Sequence, residues 1–426
     1  MQASSITFPS LEDTLKEFSD LRKYEDQTDE LVEYDFVPAN DPDRQVVKEK
    51  IEKLSFENLK ESKAFACFVA SAVGDALGAH LEGQPVDYTR DIIKDFKSLE
   101  DIKHNKARPP SGLYTDDTSL ALCVADSILK YGFKFNGVDL RHRFMLWWFK
   151  GYNNGRAKDP KDRKSFGIGS TTMNSFFAFG KRQMEFVPMV YKYIDENNAN
   201  GSIMRIAPVP IAFHDNLEQA LDYAEKQSRT THNGTEASEV CKLVTFLIIK
   251  FFECETTEQC REILNELPEL YRSENDAVQA LVRSQQETDY STYEGSKHDQ
   301  GLEDRNWNWK ADEYRYSPYR MERQKDYTGI YCMDCVAMSL HILYHTKSLK
   351  EALLRAVNLG GDCDSVGAVT GALAGAMYGF DEFLRDCYEH VKNWDEMKVA
   401  IRAYKLFHKK AISVLDTKSE KRVFVE

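Results

Sequence analysis

The chain has 426 residues, of which 42% are hydrophobic and 29% charged, with a formal net charge of −13. That length supports one large core or two domains, and the acidic balance argues against nucleic acid, whose phosphates call for clustered Lys and Arg. No run of about 18 apolar residues offers a membrane span, and the N-terminus lacks the basic-then-apolar order of a secretory signal.

Acidity is concentrated at the start. Residues 1–43 hold 12 Asp/Glu and 3 Lys/Arg, a net of −9. Leu11, Leu15, Phe18 and Leu21 recur there at helical spacing, and Pro38 and Pro42 then break the pattern. Residues 1–55 read as an extension ahead of one domain spanning 56–426. That domain opens with Phe65, Phe68, Val69, Ala72, Val73, Ala76 and Leu77, three turns of a helix with one buried face. Similar patterns cover Ala121–Leu129, Val240–Phe252 and Tyr331–Tyr344. No sustained alternation of period two appears, so an all-α fold is expected. Residues 283–326 are polar, irregular and rich in Tyr and Trp, the composition of a long functional insert. Nine scattered cysteines, mostly in apolar patterns, read as reduced thiols of a cytoplasmic protein. Cys332 and Cys335 lack a second pair at zinc spacing and read as ordinary helix residues.

Two clusters carry the chemistry. Tyr114-Thr115-Asp116-Asp117-Thr118 precedes the helix at 120–129, and Gly360-Gly361-Asp362-Cys363-Asp364-Ser365 precedes a helix at 366–378. One Asp or Thr suffices to cap a helix. Adjacent carboxylates flanked by hydroxyls exceed that need, and they suit hard divalent cations. Ligands from both clusters could build a two-cation site that activates water. The second helix carries Gly367, Gly371 and Gly375 at four-residue spacing, which requires a neighbouring backbone in close contact. Asp75 interrupts the first apolar helix and needs a partner, and Glu82 follows it seven residues later, on the same side if the helix continues that far. Ser165–Thr172 and Asn200–Arg205 are Gly/Ser segments able to bring N–H groups to a phosphate. Arg205 suits either a phosphate or a structural ion pair. His80 and His232 read as hydrogen-bonded histidines rather than ligands.

Taken in order, Gly74–Glu82, Thr115–Thr118, Gly167–Thr172, Asn200–Arg205, Thr231-His232-Asn233 and Gly360–Ala372 resemble the signature of the ADP-ribosylglycohydrolase family. The resemblance spans about residues 63–385. It implies a compact orthogonal bundle of helices around two divalent cations, Mg²⁺ first and Mn²⁺ second. Thr115, Asp116, Asp117, Asp362, Asp364 and Ser365 match the metal positions. Gly167, Gly169, Ser170, Asn200, Gly201, Ser202, Met204 and Arg205 match substrate-binding loops, and Glu82 and Asp362 match candidate proton-shuttling carboxylates. The stretch Tyr327–Asp334 loosely resembles the region at the adenosine end. Two positions depart: Cys363 replaces the usual Thr, and Gly167 stands where arginine-specific members often carry Asp. The implied reaction is hydrolysis of the N-glycosidic bond of ADP-ribosyl-arginine on proteins. The alternatives are a serine linkage, or a protein that binds ADP-ribose or a partner with weak turnover. An acidic arm on such a domain resembles bacterial immunity proteins that also plug a cognate ADP-ribosyltransferase toxin, here through residues 1–50.

Overall fold

Helix follows helix along the chain. The computed structural model describes residues 41–102, 109–155, 165–179, 198–285, 307–315 and 329–410. Its helices are α1 (Asp43–Lys53), α2 (Leu59–Gly78), α3 (Asp116–Lys130), α4 (Gly137–Lys150), α5 (Ser170–Phe179), α6 (Pro208–Ala212), α7 (Leu217–Arg229) and α8 (Thr235–Glu253). They continue as α9 (Thr257–Asn265), α10 (Leu267–Leu270), α11 (Asp276–Val282), α12 (Cys332–His345), α13 (Leu349–Val357), α14 (Cys363–Tyr378), α15 (Glu382–Asp395) and α16 (Lys398–Phe407). Among the described residues no strand forms; Ala199 and Tyr331 make one isolated antiparallel bridge. The all-α expectation holds. Also among the described residues, no helix is long and apolar enough to cross a membrane. All nine cysteines are buried and free of disulfides.

The core is organised by α2 and α14. A Cβ added to Gly74 would stand 2.1 Å from Gly367 O, and one on Gly78 would stand 2.4 Å from Cys363 O. The same construction puts Gly371 at 2.2 Å from Ala70 O and Gly375 at 2.3 Å from Ala66 O. The two helices therefore run antiparallel in backbone contact over four turns, and the small-residue stripe has α2 as its partner. Burial on all sides explains why α2 is apolar around almost its whole circumference. Helices α8, α12 and α13 pack around α14, α15 and α16 lie on α2, and α3 packs on α4, α6 and α16. Because α2 and α14 are antiparallel, the C-terminal end of one meets the N-terminal end of the other. Asp75, Gly78, Asp362 and Asp364 are thereby brought to one place.

Part of the acidic extension is docked. In α1, Val47 and Ile51 are buried in the core. Lys405 of α16 pairs with Asp41 (3.1 Å) and Asp43 (2.9 Å), and Lys410 pairs with Asp43 (2.6 Å). Lys50 and His408 converge on the buried Glu61 at 2.9 and 2.8 Å. Residues 1–40, with the apolar positions Leu11 to Leu21, lie outside the described residues. Of the aromatic insert, Trp307–Arg315 is described. Trp307 and Trp309 are buried, and Trp309 Nε1 donates to Leu281 O (2.7 Å).

Candidate active site

Asp75 receives the start of α3. Its Oδ1 accepts from the N–H (2.9 Å) and hydroxyl (2.8 Å) of Thr115, and its Oδ2 from the N–H (2.9 Å) and hydroxyl (2.6 Å) of Thr118. The partner that this lone buried carboxylate required is thus the pair of threonines in T-D-D-T. The bond from Thr118, the third residue of α3, is the one an N-cap side chain ordinarily accepts. Thr115, the N-cap residue, makes no such bond. Asp116 and Asp117 are accordingly spared that duty. At α14 the N-cap residue Asp362 also makes no capping bond.

The spared carboxylates crowd together. Ligand-capable oxygens of Asp75, Asp117 and Asp364 lie within 4.8 Å of one another, as do those of Glu82, Asp362 and Asp364. Asp116, Asp117 and Asp364 are buried, Asp362 is half-buried and Glu82 is exposed at the rim. Burial, joined by the charge of neighbouring carboxylates, pushes Asp116, Asp117 and Asp364 well above the usual carboxylate range. Burial raises Asp362 too, against the hydrogen bonds from Asn200 and its neighbours, and brings Asp75 up to about 6. Among the described residues no ion pair reaches these five aspartates. Asp117 Oδ1 is buried with no hydrogen-bond partner, while Oδ2 lies 3.0 Å from Thr115 Oγ1 and shares that hydroxyl's single proton with Asp75. Buried carboxylates at this density repel unless cations sit among them, and an orphaned oxygen inside an all-oxygen donor set fits a hard divalent ion.

The Gly/Ser segments frame the cluster. Gly167, at φ +91°, lies so close to Asp116 that a Cβ would stand 2.4 Å from its Oδ1. A side chain at this position cannot coexist with the present Asp116 rotamer, which gives a steric reason for the departure at Gly167. Gly169 and Ser170 are exposed at the N-terminus of α5. Asn200 donates from Nδ2 to the carboxylate of Asp362 and to Gly329 O (2.9 Å), which ties its loop to the cluster and to the start of α12. The Met204 sulfur accepts from Ser365 Oγ at 3.6 Å. Gly201 packs on the His232 ring and Thr172.

Two expected substrate contacts face the other way. Ser202 Oγ accepts from Ser228 Oγ (2.8 Å) inside the core. Arg205 is fully buried: Nε donates to Gln227 Oε1 (3.0 Å), Nη2 to Thr231 Oγ1 (2.8 Å), and the guanidinium lies 4.3 Å from the Phe144 ring centroid. Among the described residues it forms no ion pair: Nε and Nη2 serve Gln227, Thr230 and Thr231, while Nη1 is buried without a hydrogen-bond partner. His232 is a core histidine, as expected, with Nδ1 2.7 Å from Thr231 Oγ1. Cys363 is buried with Sγ donating to Gly78 O (3.3 Å), and burial pushes its thiol up to about 12. Asp75 is the residue whose part in the site the motif reading left open; its signal was a charge within an apolar helix.

Residues 57–412 match the family model described as ADP-ribosylglycohydrolase. The chain belongs to the ADP-ribosylglycohydrolase family. It is 28% identical over 319 residues to the ADP-ribosylarginine hydrolase Tri1 of Pseudomonas putida, covering 74% of this chain and 71% of that protein. Identity to the protein of the same name from Serratia proteamaculans is also 28%, over 75% and 72% of the two chains. A solved structure titled ADP-ribosylglycohydrolase-related protein complex superposes with a TM-score of 0.57 at 24% identity, over 82% of this chain and 99% of that one. That likeness supports the all-helical fold.

Proposed function

We propose that this glycohydrolase cleaves the N-glycosidic bond between ADP-ribose and arginine side chains of proteins at a site for two divalent cations. The observation that carries the reading is the convergence of T-D-D-T and G-G-D-C-D on one buried cluster with the unpartnered Asp117 Oδ1 inside it. The similarity to two ADP-ribosylarginine hydrolases supports arginine as the linkage. Thr115, Asp116, Asp117, Asp362, Asp364 and Ser365 would hold the cations, Mg²⁺ or Mn²⁺. When bound, these supply Lewis-acid polarisation of ribose hydroxyls and of water.

The chain's own groups do the rest. Glu82, exposed beside Asp362 and Asp364, accepts the proton of the attacking water. Asn200 fixes the Asp362 carboxylate, so that it keeps its orientation while charge develops on the sugar. Gly167 and Gly169 lead into α5 and Ser170 opens it, and its N-terminal N–H groups suit the diphosphate. Residues 1–40 would form a partner-binding arm anchored by α1, with the basic surface of an ADP-ribosyltransferase as its counterpart, in a cytoplasmic protein.

The test is incubation of the full chain and Mg²⁺ with arginine-ADP-ribosylated protein, scored by release of ADP-ribose. A folded, metal-loaded protein that releases none is a binding protein and not this enzyme. Release from a serine-linked substrate alone would move the specificity to serine.

A further inference from the structure

Arg90 belongs to none of the sequence motifs, yet its guanidinium holds two of the segments that make the site. Nη1 donates to Asn358 O (3.2 Å) and Leu359 O (3.1 Å), and Nη2 donates to Pro85 O (2.7 Å). Pro85 lies three residues after Glu82, and Leu359 three residues before Asp362. The same two segments exchange backbone bonds: Gly83 N–H to Gly361 O (2.8 Å), Gly361 N–H to Gln84 O (2.8 Å) and Asp87 N–H to Leu359 O (2.9 Å). The Asn358 side chain extends the seam, accepting from the N–H groups of Ile92 (3.0 Å) and Ile93 (2.9 Å).

Gly360 is shaped to this arrangement. Its φ is +81°, and a Cβ there would stand 2.6 Å from Arg90 Nη1 and 2.8 Å from the carbonyl oxygens of Gln84 and Pro85. The bare backbone lets the guanidinium lie against the turn. A planar fork of N–H donors can serve three carbonyls on two segments; a single ammonium lacks that shape.

We propose that Arg90 is a positioning residue of the metal site: by pinning residues 83–87 to residues 358–361 it sets the spacing of Glu82 from Asp362 and Asp364. The proposal rests on the metal reading above. Arg90 touches none of the three carboxylates and acts through the backbone that carries them. Groups hydrogen-bonded directly to metal ligands are typically worth about 10- to 100-fold in metal affinity, and Arg90, which acts through the backbone, is placed at the lower end of that range.

The experiment uses the full chain with R90A, R90K and, as a control, D117A. Binding of Mn²⁺ is titrated by electron paramagnetic resonance. Amide exchange is read by mass spectrometry on peptides covering residues 79–93 and 356–364, with a peptide from α7 as reference. R90A is expected to weaken Mn²⁺ binding about tenfold or more and to speed exchange in both segments, with α7 unchanged. R90K should fall between R90A and the parent. Activity lost at low metal should return at saturating Mg²⁺. D117A should lose metal binding while exchange in the two segments stays at the parent level. Parent-like metal affinity in R90A overturns the proposal, and if R90A does not fold, parent-like affinity and exchange in R90K overturn it. Unchanged binding in D117A would instead sink the metal reading. Arg90 is then judged by exchange alone, and unaltered protection of the two segments refutes its role.

Discussion

Asp75 Oδ2 accepts both the backbone N–H (2.9 Å) and the hydroxyl (2.6 Å) of Thr118. One buried carboxylate on α2 thereby caps a helix that begins 41 positions later in the chain, and leaves that helix's own aspartates for the site. Asp75→Ala removes the acceptor of four donors, two of them backbone. A buried donor without a partner costs about 1–3 kcal/mol, so a loss of about 3 kcal/mol or more is expected. Urea unfolding measures this, and the stabilisation given by added Mg²⁺ should shrink in parallel. A variant as stable as the parent, with the same response to Mg²⁺, would show that Asp75 does not organise T-D-D-T.

Cys363 is a packing residue. Its thiol is pushed up to about 12, chiefly by burial with the nearby Glu82 and Asp362 charges adding to it, and its Sγ is directed at Gly78 O. A thiol held so far above neutral pH is a poor nucleophile. Cys363→Thr keeps a donor for Gly78 O and should retain most of the activity. A thousandfold loss in kcat with the fold intact would reopen a covalent route.

Much of this was legible in the chain because the chemistry sits in contiguous segments. T-D-D-T and G-G-D-C-D each announce more carboxylates than a cap requires, and the spacing of Gly367, Gly371 and Gly375 announces a close helix contact before its partner is known. Other features depend on tertiary direction, which spacing does not encode. Arg205 sits three residues after the exposed-looking Gly-Ser turn, yet its side chain points to Gln227 and Phe144. Ser202 likewise faces Ser228. Arg90 carries no motif because its partners are main-chain carbonyls, and any sequence supplies those. Charge balance, helical spacing and the breakers Pro38 and Pro42 mark residues 1–55 as an extension, but none of these encodes that an acidic residue such as Asp43 is buried when Lys405 and Lys410 face it.

The described part of the insert should loosen in acid. His341 Nδ1 lies 2.9 Å from Trp309 O, and burial, with His345, Arg315 and Arg355 facing the same ring, takes the imidazole from 6.5 down to about 4. A histidine with a depressed folded pKa adds stability above 6.5, and that contribution is lost as the pH falls toward 4, because the unfolded chain binds the proton first. The melting temperature of the parent should fall more steeply between pH 7 and pH 5 than that of His341→Gln. Tryptophan fluorescence should report the same transition through Trp307 and Trp309. Parallel slopes for the two proteins would remove His341 from the account.

Truncation at two points should separate the contribution of α1 from that of the residues ahead of it. Deleting residues 1–40 leaves α1 and its contacts to Lys405, Lys410 and Glu61 in place, so the melting temperature and the release of ADP-ribose should stay near the parent values. Deleting residues 1–54 removes Val47 and Ile51, whose full burial is worth about 1.5–3 kcal/mol each. It also strips Lys405 of Asp41 and Asp43, and Glu61 of Lys50. A loss of several kcal/mol follows, with hydrolysis impaired through stability and recovered on cooling. If residues 1–40 form an arm for an ADP-ribosyltransferase, the shorter deletion alone should abolish that binding while hydrolysis continues. Equal stability of the two truncations would show that α1 is not part of the folded unit. Undiminished binding of the transferase by the shorter truncation would refute the arm.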